Sequence, residues 1–173
     1  MIHIKNAREI DAIRESCRIV AETLNLVKKH TKAGITTGEL DQMAEDHIRS
    51  RGGIPAFKGY RQVGTPPFPG TLCISINDTV VHGIPGDRVI TEGDLVSLDC
   101  GVKKNGYFGD AALSVLIGDD EQKIRLMDVT EKSLHLGIGQ ATAGNRVHDI
   151  SHVVQHYVEA NGFSVVRALC GHG

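Results

Sequence analysis

The chain of 173 residues sets 19 Lys and Arg against 21 Asp and Glu, a formal charge of -2 at pH 7, which excludes broad electrostatic attraction to nucleic acid or an anionic membrane. No apolar run approaches a membrane span, Met1 to Arg18 is charged throughout with no signal-peptide core, and Cys17, Cys73, Cys100 and Cys170 show no CxxC spacing. The expected setting is the reducing cytoplasm, and the length suits one domain with a real core or part of a larger one.

From Ala7 to His30 the apolar positions Ile10, Ile13, Cys17, Val20, Leu24 and Val27 step by three and four, predicting an amphipathic helix with Cys17 on its buried stripe. Ala33-Gly34 ends it. Thr36-Thr37-Gly38-Glu39 carries a capping-box start for a second helix, with Leu40, Met43, His47 and Ile48 inward and a stop at Gly52-Gly53. His47 on that apolar side reads as a core histidine. Ile54 to Gly70 is rich in Gly and Pro yet holds Phe57, Tyr60 and Phe68, the composition of a binding loop more than of a linker. A short strand is expected over Thr71 to Asn77. His82 then sits where extended chain gives way to a Gly-Pro turn, either projecting into a cleft or standing as an exposed loop histidine.

Leu95 to Val102 and Tyr107 to Ser114 are two β-type runs around Lys104-Asn105-Gly106, and Asn-Gly predicts a tight hairpin. If Lys104 pairs with Tyr107, Gly101 lies opposite Asp110 and Asp99 sits two residues along on the same face, so the two carboxylates are diagonal neighbours. Such a pair calls for a shared proton or a cation, and oxygen ligands on strands suit a hard or borderline divalent metal. The alternative, that either aspartate caps a turn or faces solvent, stays open on the residues alone.

Beyond the hairpin the pattern starts again. Asp119 or Asp120 can cap a third helix ending at Ala143-Gly144, Asn145 a fourth ending at Asn161-Gly162, and Phe163 to Leu169 reads as a strand. Helix, Ala-Gly break, capped helix and glycine stop recur about 110 residues later, which argues for two homologous halves, about 1–118 and 119–173, within one domain. The second half stops after one strand, so by symmetry roughly sixty residues are expected to be missing. Gly137-Ile138-Gly139 falls inside a helix with no preceding strand, which rules out a dinucleotide loop, and His148, His152 and His156 share one helical face that could hold an adventitious metal but is expected to be simply solvated.

The segments TLCISIN (71–77), VVHGIP (80–85), EGDLVSLDCGV (92–102), NGYFGD (105–110) and GFSVVRALCGHG (162–173) occur in this order along the chain. Together they resemble methionine aminopeptidases of the short bacterial type I form, members of the M24 metallopeptidases. The resemblance covers the whole chain. It implies an α+β pita-bread fold: two pseudo-symmetric helix-helix-strand halves around a curved antiparallel sheet, the second half incomplete. It implies hydrolytic removal of the N-terminal methionine of nascent peptides, with two divalent metal ions (Co, Mn, Fe(II) or Zn). By match to the motifs, Asp99 would hold one metal through both oxygens, Asp110 would bridge both, and His172 would bind the other. His82 would contact the substrate near the scissile amide, and Tyr60, Cys73, Phe57 and Phe68 would line the methionine pocket. The family's two glutamate ligands have no counterpart, so reduced metal occupancy and weak or absent turnover are expected of this shortened chain. The full-length form is expected to be a monomer that can contact the ribosome, with no nucleic acid or membrane of its own, while exposed strand edges would favour self-association of a fragment. The competing function is a non-catalytic pita-bread homologue that binds peptide or ribosome.

Overall fold

The computed structural model describes residues 3–61 and 63–172. The elements run α1 Ala7–His30, α2 Thr37–Ser50, β1 Ile54–Pro55, β2 Leu72–Ile76, β3 Leu95–Lys104, β4 Tyr107–Leu116, α3 Glu121–Gln140 and α4 Val147–Ala160. The chain divides into two compact units at Gly118 and Asp119.

In the first unit every strand pairs with β3, and every pairing is antiparallel. β4 runs along all of β3, β2 pairs with Val96 to Cys100, and β1 with Val102 and Lys103. Val96, Leu98, Cys100 and Val102 point to one face and are fully buried. They form one core with Val20, Leu24 and Val27 of α1, Leu40, Ala44 and Ile48 of α2, and Leu72, Ile74 and Ile76 of β2. That alternation pins the register, because a slip of one residue would turn Ser97 and Asp99 into an apolar interior.

α1 starts on a capping box, in which Asn6 Oδ1 accepts the Glu9 amide and Glu9 accepts the Asn6 amide. Its buried positions are Ser16, Ile19, Val20, Thr23, Leu24 and Val27. Cys17, expected on the buried stripe, is exposed. The stripe is displaced because small or locally satisfied residues fill the closest contact: Ser16 Oγ donates to Tyr107 O at 3.0 Å and Thr23 Oγ1 to Ile19 O at 2.7 Å. Across from them stands Gly109 of β4, where a Cβ would lie 2.6 Å from the Cys17 nitrogen and 2.8 Å from the Ser16 carbonyl carbon. Because those are backbone atoms, Gly109→Ala forces helix and strand apart, and urea denaturation is expected to show a loss of about 2–3 kcal/mol. An unchanged midpoint would contradict the contact. On α2, His47 does turn toward the interior, but its Nε2 has no hydrogen-bond partner; Glu22 Oε2 stands 3.7 Å away.

The second unit pairs α3 with α4, and Gly137, where a Cβ would meet Val154 at 3.0 Å, permits the approach. α4 repeats α2 in detail. Each is 14 residues long, and in each the third helical residue, Glu39 or Asp149, accepts the N-cap amide of Thr36 or Arg146. Each ends on a glycine at positive φ, Gly52 or Gly162. The amide of Gly53 closes on Ile48 O, and that of Phe163 on Val158 O. The same hydrogen bonds recur at an offset of 110, the structural form of the internal repeat.

Three expectations are corrected. α3 stops at Gln140 rather than at Ala143-Gly144, since the Asn145 side-chain amide takes the Gln140 carbonyl. For the same reason Asn145 is not the cap of α4, which is Arg146. Phe163 to Leu169 forms no strand. A strand needs a partner for its backbone groups, and the described part of this unit holds none; Phe163 instead lies under the Arg125 guanidinium, 5.3 Å from ring centre to Cζ.

Candidate metal and substrate site

The β3–β4 hairpin turns at Asn105 (φ 52°) and Gly106 (φ 85°), the double left-handed geometry that an Asn-Gly pair accepts at low cost. Lys104 pairs with Tyr107, Gly101 with Asp110 and Asp99 with Ala112. Asp99 and Asp110 therefore emerge on the same face as diagonal neighbours, opposite to the face that enters the core. Asp99 is half-buried and Asp110 exposed.

Cys73 is the β2 partner of Asp99 and is buried. Burial first, then the charges of Asp99 and Asp110, push its thiol up to about 12; the His82 backbone amide facing the sulfur works the other way. Cys100, on the core face, is pushed up to about 12 by burial and the same two carboxylates. Both sulfurs are neutral near pH 7, so Cys73 contributes an apolar wall and not a thiolate ligand. Thiol labelling followed by peptide mapping is expected to modify the exposed Cys17 and Cys170 well before Cys73 or Cys100, and early modification of Cys73 would refute its burial.

His82 is exposed and has φ 53°, next to Val81 at 40°. Left-handed backbone is unusual for a β-branched residue, and strain of this sort must be held by its surroundings. Here Gly83 does the holding: its carbonyl accepts the Ile74 amide at 2.9 Å and its amide donates to Ser75 Oγ at 3.1 Å. The loop is thus laid on β2 directly beside Cys73.

The aromatic loop closes on itself, with the Gly59 amide donating to Phe68 O and the Phe68 amide to Tyr60 O, both at 2.8 Å. Phe57 rests on Gly101, where a Cβ would come within 2.6 Å of the ring. The missing side chain lets the ring settle on the sheet beside Asp110. Phe57 and Phe68 are half-buried, and Tyr60 is 62% exposed. His172 lies in the second unit, exposed in the irregular segment after α4. The first unit thus brings together Asp99, Asp110, Cys73, His82 and Phe57. Sequence reasoning passed over Gly83, Ser75, Asp41, Glu45 and Lys58, whose roles depend on contacts between different elements and loops.

As a metal holder the hairpin offers two carboxylates from rigid, paired strands, a donor set that fits part of the shell of a hard or borderline divalent cation. Among the described residues no group of three or more His, Cys, Asp and Glu side chains is gathered into a cage.

Comparisons with known proteins agree with this chemistry. The chain is 49% identical to methionine aminopeptidase 1 of Bacillus subtilis (strain 168) along its full length, covering 68% of that protein. It is likewise 49% identical to the methionine aminopeptidase of Clostridium acetobutylicum, with the same coverage. The crystal structure of methionine aminopeptidase from Thermotoga maritima superimposes with a TM-score of 0.94 at 36% identity, over all of this chain and 68% of that one. Prolidase from Pyrococcus furiosus, at 18% identity and a TM-score of 0.79 over 92% of this chain and 44% of that one, shares the pita-bread fold alone. The model of metallopeptidase family M24 matches residues 11–173, a span that takes in both aspartates, His82 and His172, and the chain belongs to that family, among its methionine aminopeptidases.

Proposed function

We propose that the protein removes the N-terminal methionine from nascent chains by metal-dependent hydrolysis, with Asp99 and Asp110 as metal ligands, His172 as a further ligand and His82 as the substrate-contacting residue. The carrying observation is the shared face of Asp99 and Asp110, diagonal across paired strands with Gly101 between them and Phe57. In this reading residues 1–173 belong to one catalytic domain built of two halves. The metal is divalent. Two ions drawn from manganese, iron(II), cobalt or zinc suit a site of carboxylate oxygens with one imidazole. When bound, the metal supplies positive charge that polarises the peptide carbonyl and eases ionisation of water near pH 7.

The chain's own residues do the rest. Phe57, Tyr60, Phe68 and Cys73 offer two half-buried rings, an exposed ring and a neutral thiol to an unbranched thioether side chain. In this reading the peptide's first amide lies over the carboxylate face, flanked by Phe57 on Gly101 and by Cys73, the β2 partner of Asp99. His82 projects from a loop whose backbone is fixed, so its imidazole can donate a hydrogen bond to the scissile amide without first being ordered. Among the described residues no helix is long and apolar enough to cross a membrane. The reading puts this action in the cytoplasm, on chains leaving the ribosome, with the full-length protein a monomer.

The test is release of free methionine from a Met-Ala-Ser peptide by the full-length protein, stripped with a chelator and then resupplied with each ion in turn. Release restored by at least one ion, and none from the acetylated peptide, is the expected result. No release with any of the four ions would overturn the reading.

A further inference from the structure

The aromatic loop is gripped at both ends by one helix. On α2, Asp41 Oδ1 accepts the amides of Thr71 and Leu72 at 2.8 and 2.7 Å, where the loop runs into β2. One turn later Glu45, whose side chain is 11% exposed, accepts Lys58 Nζ on one oxygen and Arg49 Nε, at 2.8 Å, on the other. Lys58 lies between Phe57 and Gly59, where the loop sets out. Its ammonium, followed by the Arg49 guanidinium, holds the Glu45 carboxyl below the usual carboxylate range against the opposing effect of burial, so Glu45 is ionised near pH 7. Between the two anchors the loop has the Gly59, Tyr60 and Phe68 backbone bonds, and just ahead of Lys58 the Phe57 ring is seated on Gly101. Phe57 and Phe68 are half-buried, and Tyr60 is exposed.

We propose that Glu45 is a positioning residue for the methionine pocket, acting through Lys58 to hold Phe57 and Tyr60 at a fixed height over the face that carries Asp99 and Asp110. The assignment rests on the pocket reading given above. A loop rich in Gly and Pro would otherwise have to be ordered by each incoming substrate, and that cost would be taken from affinity. A buried carboxylate with two cationic partners is a suitable anchor, because removing one partner leaves charge poorly compensated and the alternative positions of the loop do not restore it. Its effect belongs to binding of the first side chain, not to the chemical step.

The experiment uses the full-length protein with Glu45→Gln, Lys58→Met and the double variant, and Lys58→Arg as the conservative change. Two measurements are made: KM and kcat on the Met-Ala-Ser peptide, and hydrogen exchange at the Gly59 and Phe68 amides with Ile74 of β2 as the internal reference. Each single variant is expected to raise KM by about 5- to 20-fold with kcat within about twofold. The two loop amides should exchange at least about tenfold faster while Ile74 is unchanged. The double variant should be no worse than Lys58→Met alone, and Lys58→Arg should keep KM near wild type. Additive losses, or wild-type exchange at Gly59 and Phe68 in both single variants, would overturn the proposal. So would a lower melting temperature with KM unmoved. If the wild-type protein released no methionine, the pocket reading would fall by itself, and loop exchange would still decide whether Glu45 and Lys58 hold the loop.

Discussion

Asp99→Asn and Asp110→Asn, each made in the full-length protein, are expected to lower methionine release by about 10³-fold or more, equivalent to about 4 kcal/mol of barrier. Metal titration by calorimetry should show the matching loss of affinity. Each substitution keeps the shape of the side chain and removes the charge, so the loss reports on the ligand and not on packing. Ser97→Ala is the control, because Ser97 stands on the same face one pair further along and its hydroxyl pairs with that of Ser114, Oγ to Oγ at 2.9 Å. Stability separates this reading from a structural one. Two carboxylates on adjacent strands repel each other in the absence of a cation, so metal-free Asp110→Asn should melt at or above the wild-type temperature while losing the upward shift that metal gives the wild type. An Asp110 with a structural role would give the opposite sign. Retention of more than about a tenth of wild-type release by either variant would remove the aspartate pair from the chemistry.

The aspartate face could be read in advance because local rules determine it. Asn105-Gly106 selects the turn, the turn sets the pairing, and a period of two places Asp99 and Asp110 together. The internal repeat was legible for the same kind of reason, since caps and glycine stops act within a few residues of themselves. What escaped depended on partners far along the chain. Cys17 fits the period of the apolar stripe of α1, whereas Ser16, which faces β4, bonds Tyr107, 91 positions away, where Gly109 leaves room for the two backbones to approach. Phe163 to Leu169 has strand composition, but a strand is a pairing, and the described residues of that unit supply nothing to pair with. Lys58 and Glu45 are 13 residues apart on different elements, and neither shows in sequence that it holds the other.

Gly83→Ala should do damage out of proportion to one methyl group. A Cβ at Gly83 would lie 2.2 Å from Ile74 O, 2.7 Å from Ile74 C and 2.9 Å from Ser75 Cα. All three are backbone atoms of β2, and β2 cannot retreat because Ile74 pairs with Leu98 and both residues are buried. The loop has to lift instead, breaking the bonds from the Ile74 amide and to Ser75 Oγ. Overpacking together with two buried polar groups left unsatisfied is expected to cost about 2–4 kcal/mol. The larger consequence falls on His82, because its left-handed backbone, like that of Val81, persists only while Gly83 is docked and relaxes toward ordinary extended chain once it is not. His82 then loses the fixed backbone from which its imidazole projects. The expected result is a fall in kcat of about 10²-fold, close to that of His82→Ala, with no further loss when the two substitutions are combined. Gly86→Ala, three residues along the same loop with open space where its Cβ would go, should behave as wild type. If Gly83→Ala kept kcat within about twofold of wild type, the docked loop would not be what presents His82 to the substrate.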